Sequence, residues 1–467
     1  MKATKATLLI PVENQVRELD PKLLLAVLAA RRGFSSVIGS HRELDFRIAS
    51  FPRSLYLCKS FTVRNLKMFR IMAKIGHEIV TWDEEALVHL PPEMYFSRRL
   101  SPRTMQYISH LFAWGEDNAE LWRQYPEFPP GLPIHITGNP RNDLLRTEMR
   151  AFYDDEVKAL RKAHGDFILM NTNFNHVNAF FPAQNLFQPV QNPGEEPVFG
   201  KAGRGMTREY AEGFRDHKQA IFEDFQRLIP MLEQAFPNFT IVVRPHPTES
   251  QEIYKKIADQ CERVRVTNEG NVVPWLMATR ALIHNGCTTG VEAFAMSVPA
   301  ISYRATVNEY YDYGFYRLPN MLSHQCFEFE QLRVTLGKIL AGELGAAGGA
   351  ERQALIDHYL TAQEGRMACE RIIDVLEEIM EVRSELPKPP LPPRAHGWCA
   401  ANGRRLIKRV KAYLPGSHAP PEFHRHRYPG ISLEELQTRI RRFQQILAGE
   451  EELRVQQLYS HIFQINQ

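Results

Sequence analysis

The sequence predicts an α/β protein with two doubly wound domains. Its 467 residues correspond to two or three domains at roughly 100–200 residues each. Short apolar runs alternate with helical patterns over residues 1–145 and again over residues 146–385. Strands separated by helices form parallel sheets that are covered on both faces. Two such domains are expected to face each other across a cleft, with ligands at the carboxyl ends of the strands.

Each predicted domain contains a set of short strands. In the first domain they are Leu8–Val12, Ser36–Gly39, Leu55–Leu57, Glu78–Thr81, His110–Ala113 and Ile134–Thr137. In the second they are Phe167–Asn171, Thr240–Arg244, Val264–Val266, Ala281–His284 and Pro299–Ser302. Helical patterns fit between them, notably over Pro21–Arg32, Val63–Lys74, Arg215–Ala235 and Gly290–Ala295.

A linker and a tail are predicted after the second domain. Residues 386–394 are rich in proline, which forms an extended, semi-rigid spacer. The tail, residues 395–467, is basic and helical, and Ser432–Glu435 is a capping box that opens a helix. Within residues 404–414, apolar side chains share one helical face and five basic residues occupy the others. This helix either lies on an anionic membrane or packs its apolar face on the protein.

Composition excludes several classes of protein. The formal net charge is only +3, so the protein as a whole has no strong positive potential that would indicate binding to nucleic acid. The six cysteines form no CxxC pair, which argues against zinc clusters and redox pairs and fits reduced thiols in a cytosol. The apolar run at Leu8–Val12 is too short for a signal peptide, and no run reaches the length of a membrane span. A cytoplasmic protein is expected, either soluble or peripheral at the inner face of the membrane.

The strongest local motif is Arg-Pro-His-Pro at Arg244–Pro247, directly after a predicted strand. Proline fixes its own φ and restricts the residue before it, so His246 is held rigidly. An arginine fork and a histidine at the carboxyl end of a strand suit a phosphate group. The alternative interpretation is a plain turn after the strand.

A second motif spans His284–Ala293, where a strand, a glycine-containing turn and a helix follow one another. Free N–H groups at a helix N-terminus attract phosphate. Hydroxyl groups of Thr288 and Thr289 add donors, and Glu292 can accept from ribose hydroxyls. The alternative is an ordinary capped helix. Because both motifs fall in one domain, we predict a nucleotide site made by Arg244, His246, Asn285, Gly286, Thr288, Thr289 and Glu292.

Together the two motifs resemble those of bacterial capsule and lipopolysaccharide glycosyltransferases with the two-domain GT-B fold. The sequence is most similar to the surface carbohydrate biosynthesis proteins, a likeness also carried by Leu9–Glu13, Trp82–Glu85, Thr137–Asp143 and Tyr428–Ser432. Related sialyltransferases and Kdo transferases use CMP-sugars. The resemblance therefore implies two Rossmann-like domains, a helical C-terminal tail and a bacterial source. It also implies transfer of a CMP-activated acidic sugar, of Kdo or nonulosonic acid type, to a glycan or lipid-linked glycan.

The resemblance also implies roles for residues of the first domain. Sialyltransferases carry an acidic-acidic-Gly motif that supplies the catalytic base; here Glu84 and Glu85 match it, but Ala86 replaces the glycine. Neighbouring carboxylates at Asp83, Glu84 and Glu85 repel each other, which can raise the pKa of one of them. The alternative is a solvated acidic turn. The expected mechanism needs neither metal nor cofactor, since the CMP-sugar is itself the substrate.

Four more polar residues are candidate substrate ligands. Lys59 could bind a sugar carboxylate, or it could be an ordinary surface residue. Arg141 could bind a carboxylate or phosphate, or it could belong to the connection between the two domains. Asn171 and Asn173 follow the first strand of the second domain, where related covalent Kdo transferases have an aspartate nucleophile. No nucleophile is therefore assigned.

Three other functions remain open. A CDP-glycerol or CDP-ribitol phosphotransferase would share the fold and the CMP leaving group, and a His/Asp pair at the cleft would favour it. A nucleotide-sugar 2-epimerase of the same fold would need no acceptor. An inactive CMP-binding subunit would bind the nucleotide without turnover.

Overall fold

The computed structural model describes residues 4–190, 192, 194–312, 317–383, 385–414, 420–449 and 452–467. Strands predicted from apolar runs all form, with bounds that differ from the prediction by no more than two residues. In chain order the strands are β1 (Thr7–Val12), β2 (Ser35–Ser40), β3 (Ser54–Cys58), β4 (Glu78–Thr81), β5 (Ile108–Ala113), β6 (Ile134–Ile136), β7 (Phe167–Thr172), β8 (Thr240–Pro245), β9 (Val264–Val266), β10 (Ala281–His284), β11 (Ala300–Tyr303), β12 (His324–Cys326), β13 (Arg454–Tyr459) and β14 (Ile462–Asn466).

Helices connect most of these strands. They are α1 (Gln15–Arg31), α2 (His41–Phe46), α3 (Leu66–Ile75), α4 (Pro92–Arg99), α5 (Pro102–Met105), α6 (Glu116–Arg123), α7 (Pro140–Asp143), α8 (Asp154–His164), α9 (Arg208–Ala235), α10 (Glu252–Ala258), α11 (Val272–Ala278), α12 (Thr288–Ala295), α13 (Glu309–Asp312), α14 (Arg317–Met321), α15 (Phe329–Leu340), α16 (Ala350–Tyr359), α17 (Ala368–Arg383), α18 (Leu391–Ala412), α19 (Pro421–Arg427) and α20 (Leu433–Ile446). None of the described helices combines the length and apolar composition needed to cross a bilayer.

The first sheet has the strand order β13-β14-β2-β1-β3-β4-β5-β6. Its strands β1 to β6 pair in parallel, while β14 pairs antiparallel with β2 and with β13. Residues of β1 and β3 are almost wholly buried, as expected for a parallel sheet covered on both faces. The C-terminal hairpin β13–β14 was not predicted, and it extends this sheet beyond β2.

The second sheet is parallel throughout, with the order β12-β11-β10-β7-β8-β9. Strand β7 lies between β10 and β8, and their apolar side chains form a core with α9 and α15. This arrangement places the carboxyl ends of three central strands side by side. The predicted α/β class with two parallel-sheet domains and a helical C-terminal region is therefore confirmed.

The chain divides into two compact units that differ from the predicted domains. One unit contains Met1–Phe152 together with Asp357–Gln467, and the other contains Tyr153–Ile356. Residues 357–385 were predicted in the second domain, but they return to the first unit, where α17 packs on α1 and α7. Asp143 accepts hydrogen bonds from the backbone N–H groups of Ala368 (2.7 Å) and Cys369 (2.8 Å) and so caps α17. A buried helix face and a buried cap hold this segment to the first unit.

The predicted spacer over residues 386–394 is extended only in its first half. Helix α18 begins at Leu391, with prolines in its first turn. Proline is tolerated there because the N–H groups of the first turn have no acceptor within the helix. The predicted tail is likewise not separate. Ser432 caps α20 by accepting from the N–H of Glu435 at 3.0 Å, as the capping box predicts, and α20 packs on α1.

Candidate functional site

The second unit brings most of the predicted nucleotide residues to one edge of its sheet. In the register of the sheet, Asn171 pairs with Arg244 on one side and with His284 on the other. Strands in a sheet are about 4.8 Å apart, so the residues that follow β10, β7 and β8 are close neighbours. His246, Asn173 and Asn285 all belong to these ends, and the Asn285 side-chain N–H donates to the side-chain oxygen Oδ1 of Asn173 at 2.7 Å.

His246 is held in a defined orientation by its own turn. The backbone N–H of Thr248 donates to His246 Nδ1 at 3.2 Å, and the Thr248 hydroxyl lies 2.8 Å from the same nitrogen. Because Nδ1 accepts from the backbone, the neutral ring carries its proton on Nε2. The Asn175 amide donates to the Thr248 hydroxyl at 3.2 Å, which ties the turn to the loop after β7. The ring of His246 is half-buried.

Glu249 is a residue that the sequence interpretation missed. Its carboxylate is buried and accepts from the Thr172 hydroxyl and the Phe174 N–H, each at 3.0 Å, and from the Tyr254 hydroxyl. Desolvation raises its pKa to about 7, although these hydrogen bonds oppose the rise. The carboxyl group thus joins the Arg-Pro-His-Pro turn to the loop after β7. An acidic residue three positions after the motif histidine is the signal that could have identified it.

Arg244 has a different environment from the predicted one. Its two terminal nitrogens donate to the carbonyl oxygens of Glu269 (2.8 Å) and Gly270 (2.5 Å), and its guanidinium lies over the Trp275 ring at 5.4 Å. The side chain is buried, and desolvation lowers its pKa to about 9. The predicted phosphate contact is therefore not supported. Arg244 fixes the loop that precedes α11.

Two asparagines at this edge, Asn171 and Asn285, have buried side-chain oxygens that accept no hydrogen bond from the described residues. A buried amide oxygen without a partner costs roughly 1–3 kcal/mol. Both oxygens could accept from hydroxyl or amino groups of a ligand, which is consistent with their prediction as site residues.

The turn before α12 has the predicted form. Gly286 has φ of +90°, and its N–H donates to His284 Nδ1 at 2.9 Å. His284 is fully buried and its Nε2 lies 2.9 Å from the Ser323 hydroxyl, so desolvation lowers its pKa to about 3. Cys287 is the N-cap residue of α12. Thr288 and Thr289 belong to the first turn of this helix, and both are half-buried. The Thr289 hydroxyl contacts Cys287 Sγ at 2.6 Å.

Glu292 also lies on α12 but points into the interior. Its side chain is 6% exposed, which is comparable to the exposure of Asn171 and Asn285. The ribose contact of Glu292 stays a prediction.

The predicted acid/base residues follow β4 in the first unit, and each has its own cation or donor. Asp83 is buried and paired with Arg99, whose Nε donates at 3.0 Å, and it accepts from the Tyr95 hydroxyl at 2.7 Å. Glu84 is buried and accepts from Trp82 Nε1 at 2.7 Å, with Lys22 at 3.9 Å. These two carboxylates therefore stabilise the loop after β4.

Glu85 differs from its neighbours because its side chain is 51% exposed. Desolvation acts to raise its pKa, but the charges of Arg17, Arg99, Lys59 and Arg141 outweigh it and lower the pKa to about 2. The rise in pKa that repulsion among these carboxylates can cause is not found at Glu85, because cations surround it. Arg17 Nη1 lies 3.1 Å from its Oε1.

Lys59 lies among protein carboxylates at the end of β3. Its Nζ is 2.7 Å from Glu18 Oε1 and 2.8 Å from Glu13 Oε2. Desolvation of Lys59 is outweighed by these two charges, which raise its pKa, and the pKa of Glu13 is lowered to about 2. The predicted contact with a sugar carboxylate is not supported, because two glutamates already neutralise this lysine.

The Gly-Asn-Pro-Arg segment after β6 is tightly built. Gly138 has φ of +82°, and an added Cβ would lie 2.7 Å from the Thr361 carbonyl oxygen. Asn139 caps α7 by accepting from the Arg141 N–H at 3.0 Å. The Arg141 guanidinium lies 5.6 Å from the Trp114 ring centroid and close enough to Glu85 to lower its pKa. Arg141 is thus part of the charged edge that contains Glu85.

A His/Asp pair lies at the same edge, and the sequence interpretation did not find it. His89 Nε2 is 2.9 Å from Asp117 Oδ2, and Nδ1 donates to the Leu90 carbonyl at 2.8 Å. Burial acts to lower the pKa of His89, but Asp117 outweighs this effect and raises it. The acceptors at both ring nitrogens favour the protonated form of His89. The partners are 28 residues apart, so spacing alone gives no signal.

Comparisons with known proteins identify the fold. No protein-family model and no curated protein matches the sequence. The wall teichoic acid polymerase TagF, in a form soaked with CDPG, aligns with a TM-score of 0.50 and 12% identity over 82% of this chain and 90% of TagF. The Methanocaldococcus jannaschii UDP-GlcNAc 2-epimerase gives 0.45 and 13% over 80% and 99%. MnaA of S. aureus with UDP gives 0.47 and 12% over 82% and 100%.

Identities this low establish architecture alone. The TagF alignment spans most of both chains and therefore includes both parallel sheets. The chain accordingly has the two-sheet α/β architecture of the GT-B proteins.

Proposed function

We propose that the protein transfers an activated group from a cytidine nucleotide to a carbohydrate acceptor during assembly of a bacterial surface glycan. The observation that carries this proposal is the register of β10, β7 and β8, which sets His246, Asn173 and the start of α12 at one edge. A nucleotide phosphate there would receive hydrogen bonds from His246 Nε2–H and from the hydroxyl and N–H groups of Thr288 and Thr289. These donors would stabilise charge on the departing CMP.

The first candidate donor is a CMP-activated acidic sugar of the Kdo or nonulosonic acid type. The acceptor oxygen would attack the anomeric carbon, the bond from that carbon to the phosphate oxygen would break, and CMP would leave.

Glu85 is the most suitable of the three carboxylates to contact the acceptor hydroxyl. A base must reach the proton that it removes, and Glu85 is exposed whereas Asp83 and Glu84 are buried. Its pKa of about 2 keeps it ionised at neutral pH but makes it a weak proton acceptor. Its main contribution would be to orient the acceptor.

The second candidate is transfer of a phosphoryl-alditol from CDP-glycerol or CDP-ribitol. Here the acceptor oxygen would attack the alditol-bearing phosphorus, the pyrophosphate P–O bond would break, and CMP would again leave. The His89–Asp117 pair favours this reaction, because a histidine oriented by a carboxylate is a common general base once deprotonated. The fold likeness to a wall teichoic acid polymerase soaked with CDPG adds support.

Thermal stabilisation by CMP, CDP, UDP and GDP tests the nucleotide. A ligand at 100 times its dissociation constant adds about 2.7 kcal/mol to stability. We expect the cytidine nucleotides to stabilise the protein and His246→Ala to abolish the effect. His324→Ala, at the opposite end of its own strand in the same unit, is the matched control and should retain it. Stabilisation by UDP or GDP alone would overturn the cytidine assignment and leave the fold unaffected.

Release of CMP from each donor, with a bacterial glycolipid extract as acceptor, separates the two reactions. If CMP is released from CMP-Kdo and Glu85→Gln lowers the rate, the protein transfers the sugar. If CMP is released from CDP-glycerol and His89→Gln lowers the rate, it transfers the phosphoryl-alditol. Binding of CMP without turnover of either donor would indicate the inactive subunit.

A further inference from the structure

Helix α18 has one face that is packed and an opposite face that is not. Gly397, Ala401 and Ala412 are buried on the packed face, which contacts α2 and α3. A Cβ at Gly397 would lie 2.8 Å from both Ile75 Cγ2 and Lys74 Cβ, so the helix sits very close to α3. This contact fixes which way the rest of α18 points.

The other face exposes five large apolar side chains. Leu406 is 66% exposed, Ile407 53%, Val410 61%, Tyr413 78% and Leu414 52%. With 3.6 residues per turn, Leu406, Ile407 and Val410 fall within an arc of about 100° on the side away from the packed face, and Tyr413 and Leu414 follow at the end of the helix. The sequence left open whether these residues pack on the protein, and in the structure they do not. An apolar patch of this kind on a soluble surface marks an interaction site.

Cations flank the apolar arc on both sides. Arg405 and Arg409 lie along one flank and Arg404 and Lys411 along the other, whereas Lys408 projects on the same side of the helix as Gly397 and Ala401. Asp45 is 3.5 Å from Arg404 and reduces the charge there. Since Arg404 is partly neutralised, Arg405, Arg409 and Lys411 carry most of the positive charge of the two flanks.

We propose that this face, defined as Arg404–Leu414 and called here the basic-apolar face, binds the surface of an anionic lipid bilayer. Apolar side chains would enter the interface between headgroups and acyl chains, while lysines and arginines contact lipid phosphates. Charge argues against a second copy of this chain as the occupant. A symmetric pair would bring the flanking cations of one copy against the same cations of the other.

Vesicle flotation of the full chain tests the proposal. Binding is expected on an equal mixture of phosphatidylcholine and phosphatidylglycerol, with at least a tenfold loss on phosphatidylcholine alone or in about 1 M salt, where charges are screened beyond ~3 Å. The variant Arg405→Gln/Arg409→Gln/Lys411→Gln should bind about fivefold more weakly for each charge removed. Leu406→Gln/Val410→Gln should also lose binding, through lost insertion.

The matched control is Val334→Gln/Val382→Gln, which makes the same kind of change at exposed helix positions elsewhere. It should bind as the unmodified chain does. Equal binding to neutral and anionic vesicles, or unchanged binding of both face variants, would overturn the proposal. So would a concentration-dependent sedimentation coefficient that only the apolar variant abolishes, since this would make the face an interface between copies.

The proposal does not rest on the identity of the donor. Stabilisation by cytidine nucleotides without vesicles should be the same for the face variants and the unmodified chain. Failure of membrane binding and failure of the nucleotide assignment are therefore distinguishable.

Discussion

At the scale of single residues, the buried carboxyl group of Glu249 makes stability depend on pH. Its folded-state pKa of about 7 lies above the ordinary value of 4.5, so the folded state binds this proton more tightly. Its contribution is full below about pH 4.5 and is lost as the pH rises through 7. At 1.36 kcal/mol per pKa unit, the loss is about 3 kcal/mol.

We therefore expect Glu249→Gln to remove this dependence, because glutamine stays neutral and can keep part of the hydrogen-bond network. Urea unfolding of both proteins on either side of this pH range measures the difference. Glu252→Gln changes a nearby exposed glutamate and should leave the dependence unaltered. A parallel pH response of Glu249→Gln and the unmodified chain would contradict the assignment.

The sequence predicts where polar residues lie along the strands better than it predicts which residues they contact. The positions of polar residues at strand ends, such as His246 and Asn173, can be predicted from the sequence because they depend only on where each strand ends. The environments of Arg244 and Lys59 could not be predicted. Their partners are distant in sequence and contact them only in the folded chain: Glu269 and Gly270 for Arg244, Glu13 and Glu18 for Lys59. A motif gives the position of a charge along the chain, whereas its neutralisation depends on residues distant in sequence.

At the scale of elements, helix α12 approaches strand β10 so closely that only glycine fits at one position. A Cβ on Gly290 would lie 2.6 Å from His284 Nε2 and 2.7 Å from its Cε1. His284 cannot retreat easily because it is fully buried and bonded at both ring nitrogens. The start of the proposed phosphate-binding helix is thus set by this contact.

Gly290→Ala should therefore destabilise the protein by roughly 1–3 kcal/mol, the usual cost of overpacking. Gly337→Ala in α15 is the matched control, as nothing lies within 4 Å of the added methyl group. In an open helix position alanine is about 1 kcal/mol more favourable than glycine. Thermal unfolding of both variants should show shifts of opposite sign, and equal shifts would refute the packing argument.

Strands and helices were largely predictable because apolar periodicity reflects burial. The exceptions are elements whose existence depends on distant partners. Strand β13 is half-exposed and carries a mixed pattern, and its hairpin forms only because β14 pairs with β2, where Phe463 faces Ile38. The two strands are more than 400 residues apart in sequence, so no local pattern predicts that they pair.

At the scale of the whole molecule, the two units differ in how the chain builds them. Tyr153–Ile356 is continuous, whereas the first unit needs Asp357–Gln467 to complete its sheet and to cover α1. Helix α1 is buried on nearly all sides, partly by α17 and α20. Without those helices its leucines would face water, at a cost of about 25 cal/mol per Å².

Residues 153–356 should accordingly fold when expressed alone, and residues 1–152 should not. Circular dichroism during heating would show a cooperative transition for the first fragment and none for the second. Mixing residues 1–152 with residues 357–467 should restore the transition. A cooperative transition of residues 1–152 alone would contradict this account of the unit.

The split first unit also sets the order of events during synthesis on the ribosome. Its opening residues emerge first, yet about 300 further residues must be translated before their last partners appear. At roughly 5–20 residues per second, this delay lasts tens of seconds. Throughout that interval the edge of β2 would remain unpaired and open to pairing with other chains, while the unit encoded later is already complete.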